Sequence, residues 1–426
     1  MKKWLFPILF VLALAACSDN AEPSGPLTPE IPTVEVTTVN GEALVCDYVR
    51  PPEGCMGLSI KNANKPGARM TIRQNGQTLY DSGDYEEDLS GTTIRIRGNT
   101  SAWRDKKGYK INLQEPADLL FRGYEKMYRD KEWLLINDER GALNTLIGHK
   151  VNELIGMPWA PRFKFVNLVL NGEPQGLYIL IESVKRNRRC RVDVSKTGYI
   201  IEYDPYWWNE DVWFETPATK SNDAKYTFKY PDSKEIQPGS IDYIRDYIGG
   251  FDEGLLIWNH YSEYIDTLSF ASWLLGHDIL GNYDAHGSNI YMTKFDDTST
   301  SKLKMGPLWD FDAIMQTPGK WSNSHRLSYF IRLMSNGTDR SFANAYRQRW
   351  EEVKDTLFVA LRDYLEAFAN SEEGEALDRA IAADNRLWNR NFPTLRQSTD
   401  DALAWFEERR LWLDAAISEE VGTPSP

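Results

Sequence analysis

Cysteine and histidine are scarce in this chain, four and five residues among 426. No pair of them shows zinc-ligand spacing, which excludes a Cys/His metal centre as the source of any chemistry. Positive charge is also short: 62 acidic side chains face 49 basic ones, for a net charge of −13. Such a surface repels a nucleic-acid backbone, so no nucleic-acid partner is expected. No repeat of fixed period appears. What the chain does have is apolar and aromatic content, 42% and 12%, enough to bury an extensive core in a two-lobed body.

The first residues, MKKWLFPILFVLALAACSDN, place two lysines before an apolar run that stops at Cys17. The run is too short to span a bilayer permanently and reads as an export signal over residues 1–16. LAAC ending at Cys17 resembles a bacterial lipobox, which makes Cys17 the lipidated first residue and anchors the protein to a bacterial membrane. A plain secretory signal cut nearby is the alternative. Residues 17–32, rich in proline and small polar residues, read as a tether, and 422–426 as a disordered tail. In an oxidising compartment Cys46 and Cys55 are placed to close a short loop, leaving Cys190 as an odd thiol.

From 33 to 184 the chain reads as mostly β. TVEVTTV, GLSIKN, ARMTIRQ, TTIRIRG and YKINL alternate apolar and polar residues between turn signals such as QNGQ, as antiparallel strands with one buried face do. LNTLIGHKVNELIG inserts an amphipathic helix, with Leu143, Leu146, Ile147, Val151, Leu154 and Ile155 at helical spacing. FKFVNLVL and GLYILIESV then form two strands around the NGEPQG turn. From 185 to 421 the reading is loop-rich after GYIIEYD and mainly helical from Ile241 on. The basic run KRNRRCR (185–191) reads as a solvated strand, with phosphate binding as the alternative.

The polar cluster in GNYDAHGSNIYM and GPLWDFD carries the chemical reading. Four residues separate Asp284 from Asn289, the spacing by which a kinase loop offers a carboxylate to an attacking hydroxyl and an amide oxygen to a metal. Asp310 and Asp312 then compete as the carboxylate that holds Mg²⁺ or Mn²⁺ beside nucleotide phosphates, which supply the remaining oxygens. Asx-type turns account equally well for any one of these residues taken alone. His277 and His286 read as structural.

IRIRGNTSAWRDKKGYKINL, KEWLLINDERGALNTLIGHKVNELIGMPWAP, VNLVLNGEPQGLYILIESV, DILGNYDAHGSNIYM and GPLWDFD together resemble successive blocks of the spore-coat CotH kinase family, atypical protein kinases also found in many exported bacterial proteins. The resemblance implies an α+β, kinase-like two-lobed fold, with a mostly β N-lobe carrying an inserted helix and a mostly helical C-lobe. It implies ATP bound between the lobes with Mg²⁺ or Mn²⁺. Arg97, Gly98, Asn99 and Ser101 of RGNTS would approach the phosphates. Lys107 and Lys110 are the candidate phosphate-contacting ammonium groups, Lys110 preferred. Glu153 would pair with that lysine, and Glu182 would sit at the hinge that reads adenine. Asp284 would be the base or orienting group. GxGxxG, HRD, DFG and APE are all missing from the sequence, so no activation loop or peptide groove follows. The activity implied is transfer of the γ-phosphate of ATP to a Ser, Thr or Tyr hydroxyl of an exported protein. The alternatives are transfer to a glycan or small molecule, or non-catalytic binding of a polysaccharide or structural partner at the surface.

Overall fold

The computed structural model describes residues 30–420 except 124–125, 138–140, 218, 220–223, 259 and 288. The export segment, Cys17, most of the tether and the 422–426 tail lie outside the described residues.

The first part contains β1 (Thr33–Thr38), β2 (Asp47–Val49), β3 (Ser59–Lys61), β4 (Gly67–Gln74), β5 (Gln77–Asp81), β6 (Thr92–Arg97), β7 (Gly108–Ala117), β8 (Asp130–Ile136), α1 (Ala142–Leu154), β9 (Phe163–Leu170) and β10 (Glu173–Glu182). Eight strands hydrogen-bond in the order β1-β9-β10-β8-β7-β6-β4-β5, and a further β1–β4 ladder joins the ends. The sheet therefore closes into a barrel, with β5 left outside as a hairpin partner of β4. Closure depends on a short ladder, Gly67 and Ala68 of β4 against Thr93 and Thr92 of β6. The strands are not all antiparallel as expected, because β1 runs parallel to β9.

Alternation along these strands explains the barrel. Val34, Val36, Met70, Ile94, Ile96, Ile111 and Leu168 form one interior core, and closing the sheet leaves few backbone groups unpaired at an edge. Trp133 is wholly buried there, and truncating it to Ala would cost about 3–5 kcal/mol. β8 went unassigned in the sequence for a physical reason. Its Trp133, Leu134 and Leu135 are all buried, since Leu134 packs outward against the helices, and a strand covered on both faces shows no alternation.

The second part contains β11 (Tyr199–Asp204), β12 (Trp213–Phe214), β13 (Lys225–Tyr230), α2 (Pro238–Glu253), α3 (Thr267–Leu280), β14 (Ile290–Lys294), β15 (Leu303–Met305), α4 (Ser328–Ser335), α5 (Ser341–Val353), α6 (Leu357–Ala369), α7 (Glu372–Trp388) and α8 (Leu395–Glu420). Helices dominate it, as expected. The stretch after Asp204 is not simply loop, however: β12 and β13 join β11, β14 and β15 in a five-stranded sheet of order β12-β13-β11-β14-β15. Ile201, Tyr203, Tyr226 and Met292 belong to the core shared with the helices, while Glu202 and Tyr291 line the cleft beside the barrel. α3 is buried on nearly all sides, from Phe270 to Leu280, which makes it a central helix rather than an amphipathic one.

Among the described residues no helix is long and apolar enough to cross a membrane. Cys46, Cys55 and Cys190 are all free thiols, so the short Cys46–Cys55 loop is not closed. Nor is the basic run a uniformly solvated strand. Arg191 is buried, donating through Nη1 to Ser183 Oγ at 2.6 Å and through Nη2 to Glu132 O at 2.6 Å, and Lys185 pairs with Asp130 at 3.2 Å.

Candidate active site

A cleft of about 410 Å³ lies between the barrel and the second sheet. One wall is the connection from β6 to β7. Arg97 ends β6, Gly98 turns with φ +107, and Thr100 to Trp103 form a single 3₁₀ turn. A side chain at position 98 would put its Cβ 2.4 Å from Ser101 Oγ, so the turn requires glycine. Arg97, Gly98, Asn99, Ser101 and Arg104 all line the cleft. Asn99 is held from outside by Ser59 Oγ, which donates to its Oδ1 at 2.7 Å.

The opposite wall begins where α3 ends in a left-handed cap at Gly281. The next residue, Asn282, is wholly buried. Its Oδ1 accepts the Asp284 N–H at 2.9 Å and its Nδ2 donates to Asp310 O at 3.1 Å. One asparagine thus ties the DAHGSN loop to the WDFD loop. Asn289 Nδ2 donates to Asp310 Oδ2 at 3.2 Å, and both residues adopt positive φ, +60 and +62. Asp312 lies 3.9 Å from Arg104 across the cleft, and its carbonyl accepts from Asn144 of α1 at 3.5 Å. α1 also contributes Thr145 and His149, one turn apart, to the lining. The His149 ring packs edge-on to Phe311 at 4.9 Å, and burial lowers its pKa to about 3, so it is neutral. Asp284, Asn289, Asp310 and Asp312 are therefore brought together opposite Arg97 to Ser101.

Burial raises the Asp310 carboxyl above the usual carboxylate range, against the opposing pull of the Asp312 N–H, Arg97, Arg104 and Asn289. A carboxylate so placed gains from an added cation. Among the described residues no three Asp, Glu, His or Cys side chains form a ready-made metal site. The donors that converge are all oxygens, from Asp310, Asn289 and Asp312, a set that suits a hard cation sharing its shell with phosphates.

The other candidates lie elsewhere. Lys110 is two residues past Gly108, the last cleft-lining residue of that stretch, and a strand advances about 7 Å over that interval. Its Nζ pairs with Glu132 at 2.7 Å. Burial lowers its pKa, with Glu132 acting in opposition. Lys107 Nζ donates to Ala102 O at 2.9 Å and sits 5.1 Å from the Tyr48 ring centre. Glu153 follows His149 by four residues, about 6 Å further along the helix, and pairs with Lys150 and Arg162 at 3.2 and 3.0 Å, half exposed. Lys110 and Glu153 are thus not partners. Glu182 is wholly buried between Arg122 Nη1 at 2.8 Å and the Arg162 N–H at 3.1 Å, on the strand face opposite its cleft-lining neighbour Ile181.

Sequence reasoning missed a set of cleft residues contributed by the second sheet. Lys229 Nζ pairs with Glu202 Oε2 at 2.8 Å, and both line the cleft. Burial alone would lower the Lys229 pKa, but Glu202, Tyr291, Glu210 and Asp204 outweigh it and the net shift is upward. Burial, then Glu202, pushes the Asp204 carboxyl up to about 7. Tyr206 hydroxyl meets Thr100 Oγ1 at 3.0 Å, bridging the two walls. KYTFKY, which carries Lys229, does alternate, and that was the available signal. The segment 317–330 docks on α3 through Ser322 and His325. Asp278, wholly buried on α3, accepts from Ser322 Oγ at 2.6 Å and Tyr346 hydroxyl at 2.7 Å, and lies 2.9 Å from His325 Nδ1.

Comparison with known proteins finds similar chains. The Bacillus subtilis (strain 168) inner spore coat protein H is 20% identical over 284 residues, which cover 64% of this chain and 73% of that protein. Among solved structures, the Helicobacter pylori proinflammatory kinase CtkA aligns over 89% of this chain and 98% of its own, with 8% identity and a TM-score of 0.33. The family model described as CotH kinase protein matches residues 94–412, a span that includes both walls of the cleft. The chain belongs to the CotH kinase family.

Proposed function

We propose that the chain transfers the γ-phosphoryl group of ATP to a Ser, Thr or Tyr hydroxyl of an exported protein, with the barrel and the second part acting as the two lobes of a kinase-like fold. The carrying observation is the 3.2 Å contact between Asn289 and Asp310, with Asp284 on the same wall and Arg97 and Arg104 opposite. Ile136, Ile181 and Trp309 add apolar lining, which suits a base ring. Gly98 lets backbone N–H groups approach the phosphates.

In this reading Asp310 and Asn289, with Asp312 beside them, hold Mg²⁺ or Mn²⁺. Held there, the cation would supply charge neutralisation to the phosphates. Asp284 orients the acceptor hydroxyl and takes its proton as the new O–P bond forms and ADP departs. Arg97, Arg104 and Lys229 stabilise the charge on the transferring group. The ammonium role expected of Lys110 passes to Lys229, because Lys229 with its partner Glu202 lines the cleft and Lys110 does not. Catalysis is then positioning plus charge neutralisation.

Export and lipid attachment through Cys17 complete the proposal, resting on the N-terminal sequence alone. Transfer of label from γ-labelled ATP into co-exported proteins tests it, comparing the parent with Asp284→Ala. Metal-dependent labelling that disappears in the variant is the expected result. Equal labelling by both proteins, or melting stabilised by glycans but not by Mg–ATP, would overturn it.

A further inference from the structure

We propose that Asp384 of α7 is a positioning residue for the cleft: through Lys106 and the bend at Gly176–Leu177 it fixes the segment 97–107 that faces the phosphates. The contact itself stands on geometry, and its consequence for nucleotide binding rests on the phosphotransfer reading above.

Asp384 lies 278 residues from Lys106, yet its Oδ1 accepts from Lys106 Nζ at 2.6 Å in a contact buried on both sides. The same oxygen accepts the Leu177 N–H at 2.9 Å, and Lys106 Nζ also donates to Leu177 O at 2.6 Å. This approach needs residue 176 to lack a side chain. A Cβ at Gly176, where φ is +80, would stand 2.2 Å from Asp384 Oδ1. The NGEPQGLY block therefore has a physical role: its last glycine admits a helix carboxylate to the barrel wall. A second link runs alongside. Arg390 stands 3.7 Å from Asp384 Oδ2 and donates to Asn137 Oδ1 at 3.4 Å, and Asn137 Nδ2 donates to Lys106 O at 3.5 Å. Lys106 and Asn137 both line the cleft.

A buried ion pair adds little net stability over an apolar pair of the same volume. What it adds is registry. β6 anchors the turn at Arg97 and Asp384 anchors it at Lys106, so the Gly98–Arg104 stretch between them is held at both ends. A displacement of about 1 Å in such a turn is enough to cost on the order of 100-fold in rate.

The test uses Lys106→Met/Asp384→Asn in the full chain, which keeps an acceptor for the Leu177 N–H and removes both charges of the Lys106–Asp384 pair together. Gly176→Ala is the second probe, since it retains both charges and displaces the carboxylate. Amide hydrogen exchange of the nucleotide-free protein and titration with Mg–ATP are measured on each. Exchange over 97–107 should quicken at least tenfold while α3 stays unchanged, and Mg–ATP affinity should fall about tenfold. Unchanged exchange over 97–107 in either variant overturns the positioning role. Quickened exchange with unchanged Mg–ATP affinity overturns its consequence for the site. Quickened exchange in a protein whose parent does not bind Mg–ATP supports the positioning role and defeats the phosphotransfer reading instead.

Discussion

The barrel contributes its charged lining from one stretch, Arg97 to Gly108, with Ile136, Asn137 and Ile181 beside it, whereas the opposite wall assembles Glu202 and Tyr206, Lys229, Asp284 with Asn289 and Tyr291, and Trp309 to Asp312 from four separate segments. The first wall is rich in arginine and glycine and the second in carboxylates. A triphosphate with its cation needs both signs within a few ångströms, and neither wall supplies both in balance. On the proposed phosphotransfer reading, the division gives binding to the basic wall and the arrangement of the chemistry to the assembled one, because only the assembled wall joins Asp284 to Asp310 through Asn282.

If that division holds, the acidic wall carries the largest effect. Asp310→Asn should reduce phosphotransfer by about 1000-fold or more while the melting temperature stays level, because Asn tolerates the positive φ at this position. Labelled transfer and a thermal melt check both. Next in size is the choice of lysine. Lys229→Met should cost on the order of 100-fold in turnover and Lys110→Met no more than about threefold; the reverse order would return the phosphate contact to β7.

A smaller effect is on stability and is read by pH. The Asp204 carboxyl, pushed up to about 7 by burial and then Glu202, is protonated in the folded protein at pH values where the unfolded chain is ionised. Its contribution to stability is fully present below about pH 4 and is lost as pH rises through about 7. Asp204→Asn should flatten that slope in denaturant midpoints measured across the window. Smallest is Glu153→Gln, expected to stay within about 0.5 kcal/mol in stability and to leave kinetics unchanged. A large loss of turnover would place α1's glutamate in the site after all.

The residues that could be read in advance share one property: local pattern places them. RGNTS marks the cleft turn, and Asp284, Asn289 and Asp310 do converge. Lys110 and Glu153 misled because each faces a predictable side of its element but lies one step too far along it, and pattern carries direction without distance. Glu182 misled differently, since an alternation of one residue sends Ile181 into the cleft and the glutamate away from it. β8 and β13 were hidden by double burial and by a loop-like setting.

Helix and strand periods, and the order of the acidic segments, are properties of neighbouring residues, so the chain's own text was sufficient to specify them. The parallel β1–β9 ladder of the closed barrel, the Lys229–Glu202 pair and the reach of Asp384 under Gly176 to Lys106 join residues far apart in the chain. Those pairings exist only once packing has set the distance between elements, because no local rule for dihedrals or side-chain direction encodes how far one element lies from another.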